Sequence, residues 1–320
     1  MGSPSSINSK QPQLCNLFLL FLLSCSTPKV DSFSLAPRAF IGSNSISSQQ
    51  CSTETKSLLL RMSVSDVEDD TYIPPSSSSV MDQLITTKSS LIEMCTSSSK
   101  PSLATIKSQV QTLEELAEQA GVGQASSHSG ILKGEWECIY APEDVTRSSP
   151  FFWAFRRAFP ENSDQIFAIT DGIPAPIKEV GPAYQTIDLD STSGGGCTGT
   201  LVSRVKVATL GGLATSIMTT RCTITGAIGL DGLRLKVEST KPEDSTVLQK
   251  LGPLGEMINT SGPPFPSGEA LERVMPGSSE VVMLTTYCDE GLRISKNEDR
   301  LGEDVFVWRR KSFGDSDFEI

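Results

Sequence analysis

The sequence predicts a mainly β fold, an antiparallel β-barrel preceded by a two-helix N-terminal segment. Three observations carry that prediction. Between positions 80 and 121 apolar residues recur at three- and four-residue steps, the period of one helix face. From Gly134 onward the chain changes to short runs in which apolar and polar residues alternate, the period of a strand. Gly, Pro, Asn and Asp, the residues that turns select, separate those runs.

Val80, Leu84, Ile85, Leu91 and Ile92 form the first helical stripe, and Leu103, Ile106, Val110, Leu113, Leu116 and Ala117 the second. Lys100-Pro101 divides the two, because a proline turns the residue before it away from helical geometry. Gly121 and Gly123 end the second helix. Strands are expected near 135–141, 166–170, 183–190, 198–208, 216–228, 232–239, 280–288, 291–296 and 304–310. Trp136, Cys138 and Tyr140 share one face of the first; Leu233, Leu235 and Val237 face opposite Arg234, Lys236 and Glu238. "STSGGGCTG" and "GAIGLDGLR" suit hairpins, and in "CDEGLRI" Gly291 is expected to take positive φ. Two short helical pieces are expected within 247–275. Half-apolar strands in this number close into a barrel that either fills with side chains or holds one apolar ligand, and alternation does not choose between them.

The segment before these elements reads as targeting sequence. "LCNLFLLFLLSC", residues 14–25, is too short for a bilayer core of about 30 Å, which needs ~20 apolar residues, and suits a signal-peptide core. Residues 1–32 are therefore a signal peptide, with Val30 and Ser32 at positions −3 and −1 and Phe33 first after cleavage. Residues 33–65 are rich in serine, carry Arg38, Lys56 and Arg61 against the single acid Glu54, and read as a transit-peptide-like segment. Signal peptide plus transit segment, with Phe33-Ser34-Leu35-Ala36-Pro37 at the junction, resembles the bipartite presequence of algae with complex plastids. That resemblance implies a plastid destination, with secretion as the alternative. Residues 66–79 read as a disordered linker, 80–311 as the folded domain (helical pair 80–121, barrel 134–311), and 312–320 as an acidic tail.

A formal net charge of −11 and a pI near 4.7 disfavour nucleic acid as a partner, since that surface cannot displace phosphate counterions. The eight cysteines have no C-x-x-C pair and no metal-ligand spacing, so no metal and no cofactor is expected. Nor does a catalytic set stand out. The one histidine, His128, lies in "ASSHSG" before the first strand; Asp289 and Glu290 are adjacent and diverge; Cys288 has no base in sight and reads as core. Binding rather than catalysis is the expected class.

A helical pair ending in "LEELAEQA", then "LKGEWECIY", "SPFF", and near the C-terminus "TTYCDEGLRISKNEDRLGEDVFVWRR" together resemble the plastid lipid-associated protein family, also called PAP or fibrillin. The resemblance spans roughly 80–311. Its two motifs are Gly134-x-Trp136 with Tyr140, and Tyr287-x-Asp289-Glu290-x-Leu292-Arg293-Ile294 followed by Val305-Phe306-Val307. It implies a lipocalin-like barrel, non-enzymatic binding of an apolar lipid, prenylquinone or carotenoid, and association with a stroma-facing thylakoid membrane or plastoglobule surface. It also implies that Gly134 and Trp136 close one end of the barrel under a cation from the last strand, Arg309 or Arg310. Tyr140, Thr285 and Tyr287 are the expected polar ligand contacts among the inward side chains. "SPFFWAFRRAF" sets Phe151, Phe152, Trp153 and Phe155 beside Arg156 and Arg157; the segment either contacts a membrane or lids the barrel with its aromatics buried. Two further readings stay open: a coat protein of plastid lipid droplets with a filled barrel, and an enzyme acting on a carotenoid or quinone.

Overall fold

A computed structural model describes residues 77–311 of the protein except 125, 175–176, 192–196, 210, 251 and 301–302. The presequence, most of the expected linker and the acidic tail lie outside the described residues, as does the tip of the "STSGGGCTG" hairpin. Helix α1 (Ser77–Thr96) begins three residues inside the stretch expected to be linker. Helix α2 (Leu103–Ala120) starts where the Ser102 side chain accepts the Thr105 N–H, and stops at Gly121, whose left-handed backbone lets the cap close. A single helical turn, α3 (Ser126–Ser129), carries the backbone of His128.

Eight strands follow among the described residues: β1 (Gly134–Tyr140), β2 (Lys178–Ser191), β3 (Cys197–Thr209), β4 (Ala214–Ile228), β5 (Gly232–Glu243), β6 (Glu280–Cys288), β7 (Leu292–Asn297) and β8 (Val305–Arg310). Each pairs antiparallel with the next, and β8 returns to β1, so the sheet closes into a barrel in chain order. Closure gives every one of these strands a partner on both sides, although β5 runs on past Lys236 beyond its pairing with β6. One end carries the β2–β3, β4–β5 and β6–β7 hairpins with the start of β1 and the finish of β8. At the other end run the longer connections, which hold α4 (Pro150–Ala158), α5 (Ser163–Asp171), α6 (Thr246–Gln249), α7 (Pro253–Ser261) and α8 (Ser267–Val274).

The strand expected at 166–170 is instead helical, as part of α5. Ile166-Phe167-Ala168-Ile169 is too short a run for periodicity to decide, and packing decides it. Phe167 is buried with its ring 5.8 Å from Phe152 and 5.7 Å from Phe155, while Ile169 stays exposed. Gly291 is not at positive φ either. The Asp289 carboxylate closes that turn by accepting the N–H groups of Gly291 and Leu292, both at 2.7 Å.

Two cores result. The inner one holds Trp136, Ile187, Leu201, Cys222, Leu235, Met283, Phe306 and Trp308 together with the aromatics of α4. The outer one lies between the helical pair and the outside of β1, β6, β7 and β8, where Leu84, Leu91, Ile106, Val110 and Leu113 meet Tyr140, Tyr287, Leu292, Ile294 and Val307. Strand β7 is consequently buried on both faces.

Candidate functional site

The Gly-x-Trp end is built from three positions. Trp136 is fully buried and its indole N–H donates to the Leu132 carbonyl at 2.9 Å. The Arg310 guanidinium lies 4.2 Å from its ring centroid, and donates to the carbonyls of Glu290 and Lys133 at 2.7 and 2.8 Å and to that of Ile131. Gly134 has φ +137°, and a Cβ there would run into Nη1 of Arg310. Arg309, the other of the two expected cations, points outward instead and pairs with Glu137 at 2.7 Å. Neighbouring residues of a strand face opposite ways, so only one of the two arginines can reach the indole.

Tyr140 and Tyr287 do not face the interior. A β-bulge between Cys138 and Tyr140, and another irregularity between Thr285 and Tyr287, each shift the side-chain phase by one residue. The register then places Tyr140, Val307, Ile294 and Tyr287 side by side on the outer face, beneath the helical pair. Tyr287 donates to Asp289 Oδ2 at 2.6 Å, and Lys88 of α1 reaches the same oxygen at 2.5 Å. Burial raises the Asp289 carboxyl, but the Lys88, Tyr287 and backbone donors outweigh it and hold the pKa below the usual carboxylate value. The Tyr-x-Asp motif thus fastens helix to barrel. Cys288, next in sequence, is a buried inner-core thiol that burial pushes up to about 11.

The corresponding inward row is Cys138, Trp308, Arg293 and Cys288. Arg293 is completely buried, with its guanidinium 4.5 Å from the Trp308 ring centroid and 5.2 Å from that of Trp136. Its Nη2 donates across the barrel to Gln185 Oε1 at 2.6 Å, and Gln185 in turn donates to the Ser148 carbonyl at 3.0 Å. Nε and Nη1 of Arg293 have no hydrogen-bond partner, and neither do the buried hydroxyls of Ser203, Thr220 and Thr285. Burial pushes the Arg293 pKa down to about 9, so it stays a cation at neutral pH. Of the three expected ligand contacts, Thr285 alone points inside.

Helix α4 fills the far end. Pro150 at its first position and the absence of β-branched residues favour the helix, and Arg156 and Arg157 in its last turn complement the dipole. Phe151, Phe152, Trp153 and Phe155 are all buried, Trp153 stacking on Phe306 at 5.8 Å and donating to the Arg147 carbonyl at 2.7 Å. In this conformation they plug the barrel and present nothing to a membrane. Arg156 is enclosed by Glu143 at 2.8 Å, Asp164 at 3.5 Å and Asp304 at 3.7 Å, whereas Arg157 is partly exposed beside Asp299 at 3.4 Å.

Outside the barrel at this same end, a cleft of about 750 Å3 is lined by Cys95, Lys100, Cys138, Tyr140, Asp144 and Lys178 among others. That volume lies within the range of small-molecule sites. The otherwise buried Tyr140 lines it, and Cys138 belongs to both the cleft wall and the packing around the inner core. Among the described residues no group of His, Cys, Asp and Glu could hold a metal ion, and no helix is long and apolar enough to cross a membrane. Comparisons of the chain with protein families, curated proteins and solved structures found no match.

Proposed function

We propose that the chain is a plastid lipid- or isoprenoid-binding protein of the fibrillin type, acting by binding rather than turnover at a thylakoid or plastoglobule surface. The observation that supports it most is the α4 plug. A barrel sealed at one end by Trp136 and Arg310 is filled at the other by four aromatic side chains on a nine-residue helix, the kind of volume an apolar chain takes. Displacing α4 exposes an inner face of Ile187, Leu201, Ile224, Leu235 and Met283. Burying ~300 Å2 of a prenyl chain there yields a gross ~7 kcal/mol before ordering costs. The resemblance of "LKGEWECIY" and "YCDEGLRI" to fibrillins supports the same reading.

The filled interior equally suits the second reading, a coat protein whose barrel never opens. Titration of the purified chain with a prenylquinone and with a carotenoid, read by native mass spectrometry, separates them. One ligand retained per chain supports the container. No retention of either, with adsorption of the folded chain to lipid droplets, supports the coat.

A further inference from the structure

We propose that Arg293 anchors the head group of a long-chain carboxylate inside the barrel, the tail taking the apolar volume that α4 now fills; the assignment rests on the lipid-binding reading above. A guanidinium out of water is costly unless its donors are met, and an apolar side chain of similar size would pack this position at less expense. Arg293 is nonetheless fully buried, with one nitrogen bonded to Gln185 and two without partners. No carboxylate among the described residues forms an ion pair with it, although Arg147, the other buried arginine of the barrel region, pairs with Asp171 at 2.8 Å. Its Cζ lies 5.2 Å from the Trp136 ring centroid and 4.5 Å from that of Trp308, and the N–H groups on Nε and Nη1 remain as the unused chemistry.

Inward hydroxyls without partners lie beside the two strands that hold Arg293 and Gln185. Ser203 stands opposite Gln185 in the β2–β3 register, and Thr220 opposite Ser203 in the β3–β4 register. Thr285 lies opposite Ser295, the next inward residue of β7 after Arg293. The N–H groups on two cationic nitrogens, with hydroxyls on the same inner wall, match a carboxylate, which only accepts hydrogen bonds and offers about four lone-pair sites. A plain hydrocarbon gains nothing from these groups, and a cationic head group is repelled by them. The ligand class is therefore an anionic amphiphile.

The test compares hexadecanoic acid, hexadecan-1-ol and hexadecane on the full chain, with binding followed by native mass spectrometry and by indole fluorescence. The acid is expected to bind roughly ten- to hundredfold tighter than the hydrocarbon, the span of a charge-assisted hydrogen bond. Arg293→Met should abolish that preference while keeping hydrocarbon binding, and should raise the thermal midpoint of the ligand-free protein. Arg293→Lys should retain part of the preference. Equal binding of acid and hydrocarbon by the unmodified chain overturns the anchor and leaves lipid binding standing; this arm needs no variant to fold. A preference that persists in Arg293→Met also overturns it, and binding of none of the three overturns both proposals.

Discussion

Gly134 and Arg310 explain why this barrel opens on a glycine two residues before a tryptophan. Only a residue without a Cβ leaves room for the guanidinium, and φ of +137° is a backbone that other residues rarely adopt. Gly134→Ala should destabilise the protein by about 1–3 kcal/mol in urea denaturation, since it combines strain with loss of the stacked cation. The two terminal arginines should behave differently. Arg309→Met removes an exposed ion pair and should change stability by less than about 0.5 kcal/mol, whereas Arg310→Met frees three carbonyls and the Trp136 face and should cost about 1–3 kcal/mol. "FVWRR" shows that a cation is available, but which of two adjacent arginines reaches the indole depends on strand phase, and hence on pairing that a single sequence does not display.

The helical pair was legible from its apolar stripes, and its docking was not. Its outer core depends on two local shifts in strand phase that carry Tyr140 and Tyr287 to the outside, and nothing in "EWECIY" or "TTYCDE" marks an extra residue. Arg293 was hidden for a related reason. In "LRIS" the apolar Leu292 and Ile294 suggest an inward face, yet they lie under α1 and α2 while the arginine points in. A strand that is buried on both faces defeats alternation. Leu113→Ala, at the centre of this outer core, should cost about 2–5 kcal/mol by chemical denaturation. Helix docking should also weaken in acid. Because the folded Asp289 pKa is depressed, its contribution is complete above the ordinary carboxylate value of about 3.9 and is lost as pH falls through the folded value. Amide exchange in α1 should accelerate below that pH, and Asp289→Asn should remove the dependence while β3 and β4 amides stay unaffected.

The proposed lipid binding would draw on all of these parts together. Alternation in the strands announced an antiparallel β-barrel, and the eight strands close as one. Whether the interior was hollow could not be read from alternation, because a ligand and a plug of phenylalanines satisfy the same apolar face. The sequence offered "SPFFWAFRRAF" as either membrane contact or lid, and burial of Phe151, Phe152, Trp153 and Phe155 fits the second. On the lipid-binding proposal, this helix and an apolar ligand compete for one volume. Hydrogen exchange along Pro150–Ala158 with and without bound prenylquinone tests it most directly. Loading should strip protection from α4 while the strands keep theirs; a bound lipid that leaves α4 as protected as before would contradict the account and move the ligand outside the barrel.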